Sequence, residues 1–87
     1  GRSTMVEFQK RFATIHEGFY EKLRTITLDL TPNETIICAM LKLNYSSKEI
    51  AFLTNRTVRT IENNRSIIRK KLNLDSDTNL QQYLFHL

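Results

Sequence analysis

The sequence predicts an all-helical domain, and three observations support this fold class. Glycine occurs twice and proline once in 87 residues, too few for the many tight turns of an all-β protein. Helix-start signals recur along the chain, and apolar residues at helical spacing follow them. A short helical segment is also followed, after a brief turn, by a longer basic one.

The first 28 residues predict one or two short N-terminal helices. Thr4 and Glu7 form a capping-box pair, in which the hydroxyl and the carboxylate each satisfy a free amide of the first turn. The opening residues 1–3, Gly-Arg-Ser, are typical of a cloning remnant. Apolar residues recur at helical spacing in two stripes, Met5, Phe8, Phe12 and Ile15, then Phe19, Tyr20, Leu23 and Ile26.

Residues 29–87 are expected to form the main domain, and its first helix has the clearest start. Thr31 is suited to cap it, Pro32 suits the first helical position, and Glu34 completes a capping box. Asn44 is suited to end this helix, because asparagine tolerates a left-handed backbone. The inward face is predicted to hold Ile37, Cys38, Met40 and Leu41.

The next two helices are predicted on either side of a tight turn at residues 54–56. Ser46 and Glu49 form a second capping box, which opens a short helix with Ile50, Ala51 and Leu53 inward. Thr57 is expected to cap a longer helix over residues 58–72, and Asn73 to end it.

A final helix is predicted from residue 77 to about residue 86. Ser76 is the expected cap, and Leu80 and Leu84 are expected to point inward.

Positive charge is concentrated in one segment of the chain. Residues 55–74 carry six basic groups and one acidic group, whereas the net charge of the whole chain is +4. Such a basic stripe is typical of proteins that bind polyanions, although a solvated helix face is the plainer interpretation.

The helix predicted over residues 58–72 divides into two faces when its residues are placed about 100° apart. Ile61, Ile68 and Leu72 form an apolar stripe. The opposite face holds side chains suited to reading base edges, because arginine pairs with guanine, asparagine with adenine and glutamate with the cytosine amino group. This polar face comprises Arg59, Glu62, Asn63, Ser66 and Lys70.

Four ordered blocks of this sequence resemble the LuxR-type DNA-binding domain. They are LTPNE at 30–34, SSKEIA at 46–51, TIENNR at 60–65 and RKKLNL at 69–74. The resemblance covers about residues 29–87, and it implies a four-helix helix-turn-helix domain after an N-terminal helical extension at residues 1–28. The sequence departs from the family pattern at Asn44 and Asn73, where glycine is usual, and at Glu62, which places a negative charge on the DNA face.

The resemblance implies a scaffold helix at 47–54 and a recognition helix at 58–72 that enters the major groove. Its last helix often pairs with a second copy, which implicates Asp77, Gln81 and Tyr83. Base contacts are expected from Arg59, Glu62, Asn63 and Ser66. The family's phosphate-contacting positions correspond to Lys48, Thr57, Arg65 and Lys70. Phosphate contacts are also expected from Arg56 and Arg69.

The resulting hypothesis is sequence-specific duplex DNA binding by the output domain of a bacterial transcriptional regulator. The expected partners are DNA, a second copy on DNA, an upstream sensory region and RNA polymerase, in the cytoplasm at the nucleoid and without membrane contact. No catalytic constellation, metal site or cofactor is expected. Two alternatives stay open: a helical interaction or dimerisation module with a basic face, and a sigma-factor-like promoter-binding domain.

Overall fold

The structure is a computed structural model that describes residues 2–13 and 16–87, with the side chains of residues 6–13 and 17–87. In this part of the chain the backbone is helical or irregular, without strands, as predicted. Six helices follow one another along these residues: α1 (Arg2–Ala13), α2 (His16–Ile26), α3 (Pro32–Lys42), α4 (Ser47–Thr54), α5 (Val58–Lys71) and α6 (Leu80–Phe85).

The three predicted caps of α3, α4 and α5 are confirmed. The Thr31 hydroxyl accepts the Glu34 amide hydrogen at 3.1 Å, and the Glu34 carboxylate accepts the Thr31 amide hydrogen at 2.9 Å. Ser46 and Glu49 form the same reciprocal pair at 3.1 and 2.9 Å. Thr57 Oγ1 accepts the Thr60 amide hydrogen at 3.1 Å. These local bonds fix where each helix begins, independently of the rest of the fold.

Asparagines hold the left-handed positions at the ends of these helices. Asn44 and Asn73 adopt φ values of 71° and 57°, as predicted. Asn55, in the turn between α4 and α5, adopts the same conformation at 56° and is the C-cap of α4. Asparagine tolerates this region better than other residues that carry a Cβ atom.

Two predicted helix starts are wrong. Helix α1 already runs from Arg2, so Thr4 lies inside it and not at its start; the side chains of Thr4 and Met5, and the whole of Ile15, lie outside the described residues. Helix α6 begins at Leu80 with Asn79 as its N-cap, three residues later than the sequence predicted from Ser76. The intervening residues instead form a turn around Asp75, whose Oδ1 accepts the Asp77 amide hydrogen at 3.1 Å.

One hydrophobic core takes side chains from both the N-terminal extension and the main domain. Phe8, Phe19 and Leu23 are buried together with the predicted inward residues of α3 and with Ile50 and Ala51 of α4. Leu53 is only partly buried against this core. Phe8 meets Tyr45 edge to face, with 5.6 Å between the ring centroids, so α1 packs beside the end of α3.

Candidate nucleic-acid interface

Helices α4 and α5 and the three-residue turn between them form a compact helix-turn-helix unit. Ile50 and Ile61 are fully buried, and they supply apolar contacts of α4 and α5 to the core. The Arg56 amide donates to the Ala51 carbonyl at 2.9 Å, which closes the turn. Arg65 Nη1 donates to Ser47 Oγ at 3.1 Å and ties the middle of α5 to the first turn of α4.

Helix α5 divides its faces as the sequence predicted. Ile61 and Ile68 are fully buried and Leu72 is 4% exposed. The four predicted base-contacting residues, Arg59, Glu62, Asn63 and Ser66, are all exposed. A helix of this kind can place its polar face in a groove of a nucleic acid while its buried stripe stays packed against the core.

Four of the predicted phosphate-contacting residues also have exposed side chains. Three of them are cations, Lys48 in the first turn of α4, Arg56 in the turn and Lys70 near the end of α5. The fourth, Thr57, is exposed too, but its hydroxyl caps α5 and donates to Thr60 Oγ1 at 2.9 Å. With Arg59, the face therefore presents four exposed cations.

The other two predicted phosphate contacts are engaged inside the fold. Arg65 is half-buried and bonded to Ser47, as described above. Arg69 donates to the Thr78 carbonyl at 2.5 Å and to the Asp75 carbonyl at 2.6 Å. The guanidinium of Arg69 therefore holds the loop that leads into α6, a structural use that the sequence did not reveal because the carbonyls belong to a separate segment.

The residues predicted for a dimer contact differ in their exposure and in their bonds within the fold. Asp77 is exposed in the loop before α6, and Tyr83 is partly buried against the core. Gln81 Nε2 donates to the Tyr45 carbonyl at 2.9 Å and to the Leu41 carbonyl at 3.4 Å, so its amide joins α6 to the end of α3. Leu80 and Leu84 are buried, as predicted.

Lys71 is a structural cation that the sequence analysis did not identify. Its Nζ donates to Glu34 Oε1 at 2.7 Å. Burial alone would raise the pKa of Glu34, but hydrogen bonds from Lys71 and Thr31 and the charge of Lys71 outweigh that effect and hold this pKa below its usual value. The ion pair connects the end of α5 to the start of α3 and so orients the candidate recognition helix on the core.

Cys38 is a buried core residue, as predicted. It is fully buried in α3, and burial, followed by the nearby charge of Glu34, raises the pKa of its thiol to about 12. The thiol is therefore protonated and unreactive at neutral pH.

Two further features of the described residues bear on the candidate chemistry. Their His, Cys, Asp and Glu side chains form no group of three or more that could hold a metal ion. Among the same residues, no helix is both long and apolar enough to cross a membrane.

Comparison of the chain with protein-family models, with curated proteins and with solved structures finds no match.

Proposed function

We propose that this chain binds duplex DNA in a sequence-specific manner, with α5 as the recognition helix in the major groove. One observation carries the proposal: α5 follows a short capped helix and a three-residue turn, buries Ile61 and Ile68, and exposes its polar face between exposed cations. This arrangement suits the major groove, which admits an α-helix with its reading side chains outward.

The chemistry of the exposed face supports separate reading and positioning roles. The Arg59 guanidinium matches the two acceptors of guanine, and the Asn63 amide matches the donor and acceptor of adenine. Glu62 is suited to accept from the cytosine amino group, and its charge discourages binding where no such donor is present. Ser66 extends the face by one turn toward Lys70.

Phosphate contacts are assigned to the exposed cations Lys48, Arg56 and Lys70. They bracket the reading face from α4, from the turn and from the later part of α5, so together they fix its register on the duplex. Arg65 and Arg69 serve mainly to hold α4 and the loop before α6 in place. The binding free energy from phosphates then comes from the three cations Lys48, Arg56 and Lys70 rather than from the whole basic segment.

The biological role proposed for this binding is that of the output domain of a bacterial transcriptional regulator in the cytoplasm. Binding without catalysis is the whole activity of such a domain. Its partners are DNA, a second copy on DNA, an upstream sensory region and RNA polymerase. The resemblance of the four sequence blocks to LuxR-type domains supports this assignment.

Selection of bound sites from a random duplex library tests the proposal. We expect a defined sequence motif to be enriched by the wild-type chain. The control is an Arg59→Ala/Asn63→Ala double variant, because both side chains are exposed and their loss leaves the core intact. The variant should bind DNA weakly and enrich no motif. Failure of the folded wild-type chain to enrich any duplex would overturn the proposal and favour a protein-interaction module.

A further inference from the structure

An apolar groove lies between α2, the α2–α3 linker and the first turns of α3, and the proposed DNA contacts do not use it. The groove encloses about 500 Å³. Its walls include Tyr20 and Leu23 of α2, Leu28 and Leu30 of the linker and Ile36 of α3, with Arg24 as its charged lining residue. Apolar concavities of this kind on a small domain typically mark an interaction surface.

Leu28 projects from the edge of this groove. It is 82% exposed, the largest exposed fraction among the large apolar side chains of the described residues. The linker that carries it is held by local bonds, because the Thr27 amide donates to the Leu23 carbonyl at 2.9 Å and the Asp29 amide to Thr27 Oγ1 at 3.1 Å. Leu28 is therefore an exposed apolar side chain on a hydrogen-bonded turn, at the edge of the apolar groove.

Two residues of opposite charge lie beside Leu28 and the groove. Asp29 follows Leu28 in the linker, and Arg24 lines the groove. Within the described part of the chain, neither charged group has a hydrogen bond or an ion pair. A two-fold axis places the same surface of two copies against each other, so a surface that carries both an exposed leucine and a groove, and both signs of charge, can be complementary to itself.

We propose that this groove is the surface through which two copies of the chain associate, with Leu28 of each copy inserted into the groove of the other and Asp29 paired with Arg24 across the axis. The groove and α5 lie on different sides of α3. Pro32 of α3 lines the groove, whereas Glu34, about 200° further around this helix, contacts Lys71 of α5. The two recognition faces therefore stay open in the dimer. The association goes beyond DNA binding and does not depend on it.

The groove is small, so the dimer of the isolated chain is weak. Stable specific interfaces bury about 1,200 Å² or more, and a single inserted leucine on each side with its surrounding rim falls short of this. The association is therefore visible at high protein concentration and becomes stronger where DNA or an upstream region holds two copies together.

Sedimentation of the chain without DNA, from about 10 μM to about 1 mM, tests the proposal over the range in which weak dimers form. We expect a concentration-dependent monomer–dimer equilibrium. Leu28→Ser should weaken it by at least about tenfold, because an inserted leucine is lost from both halves of the interface. Phe85→Ser is the matched control, since Phe85 is also exposed but lies on α6.

Charge reversal provides a test that a merely apolar association would not pass. Arg24→Glu and Asp29→Arg should each weaken the dimer several-fold, and the double variant should restore it, because the pair is re-formed with exchanged signs. All these residues are exposed, so circular dichroism should show an unchanged fold. Three results would overturn the proposal. The chain could stay monomeric at about 1 mM. The dimer could be weakened by Phe85→Ser and not by Leu28→Ser, or the double variant could dimerise as weakly as the single variants.

Discussion

Glu34 Oε1 accepts a hydrogen bond from Lys71 Nζ at 2.7 Å and another from the Thr31 amide at 2.9 Å. A single carboxylate oxygen thus both closes the N-terminal cap of α3 and anchors the last turn of α5. The position of the candidate recognition helix is therefore fixed at two points along α5, by this ion pair at its end and by the bond between Arg65 and Ser47 at its middle.

Glu34→Gln should lower the free energy of unfolding at neutral pH by about 1–2 kcal/mol, because glutamine keeps the cap but loses the charge-assisted bond to Lys71. The pKa of Glu34 is lowered in the folded chain, so its contribution is present above the unfolded pKa and is lost as the pH falls through the folded value. Urea unfolding at pH 7 and at about pH 3 should show the two proteins converging at the lower pH.

Glu49→Gln is the matched control for this prediction. Glu49 occupies the same third position in the capping box of α4, but it is exposed and has no ion pair within the described residues. Its replacement should cost less than that of Glu34 at pH 7. Equal losses in the two variants would show that Lys71 adds nothing to the cap.

Arg69→Ala and Lys70→Ala should differ although the residues are neighbours. Arg69 holds the carbonyls of Asp75 and Thr78, so its loss should lower the free energy of unfolding by about 1–3 kcal/mol. Lys70 is exposed, so its loss should leave stability within about 0.5 kcal/mol of the wild type. Thermal melting of the two variants measures this difference. Equal melting temperatures would contradict the structural role of Arg69.

Truncation of the buried face of α5 should unfold the domain or loosen it strongly. Ile61→Ala and Ile68→Ala should each cost about 2–5 kcal/mol, because both side chains are fully buried. Ile67 is the control within the same helix, since it is 43% exposed, and Ile67→Ala should cost far less. A melting experiment in which Ile67→Ala is the most damaging of the three would mean that the helix is rotated from the orientation described.

Asn63→Ala and Lys70→Ala should affect DNA binding differently. Loss of the Asn63 amide should cost about 1–3 kcal/mol on the selected site and little on a scrambled duplex. Loss of Lys70 should weaken binding to both duplexes by a similar factor, because phosphates carry no sequence information. Fluorescence anisotropy with both DNAs separates the two patterns. The assignment of roles fails if each variant loses the same affinity on both duplexes.

The sequence predicted those parts of the fold that local chemistry determines. The capping boxes at Thr31 and Ser46 and the left-handed Asn44 and Asn73 depend on residues within one turn, and all four were predicted correctly. The start of α6 was not predicted correctly, because Ser76 and Asn79 are both chemically suited to cap a helix. The choice between them depends on the loop that Arg69 holds from another segment.

The candidate interface was predictable in outline but not in detail. The two faces of α5 follow from helical spacing alone, so the exposed positions of Arg59, Glu62, Asn63 and Ser66 were expected. Which cations stay available to a phosphate depends on tertiary neighbours. Three of the basic side chains, Arg65, Arg69 and Lys71, find partners inside the fold that sequence spacing does not indicate.

The central claim, sequence-specific DNA binding through α5, is tested most directly by titrating one selected and one scrambled duplex with the wild-type chain at several salt concentrations. With the three exposed cations Lys48, Arg56 and Lys70 on phosphates, the logarithm of the affinity should fall against the logarithm of the salt concentration with a slope of roughly −2 to −3 per domain. The selected duplex should bind at least about tenfold more tightly at each salt concentration. A folded chain that binds neither duplex at low salt, or both with equal affinity throughout, would contradict the account.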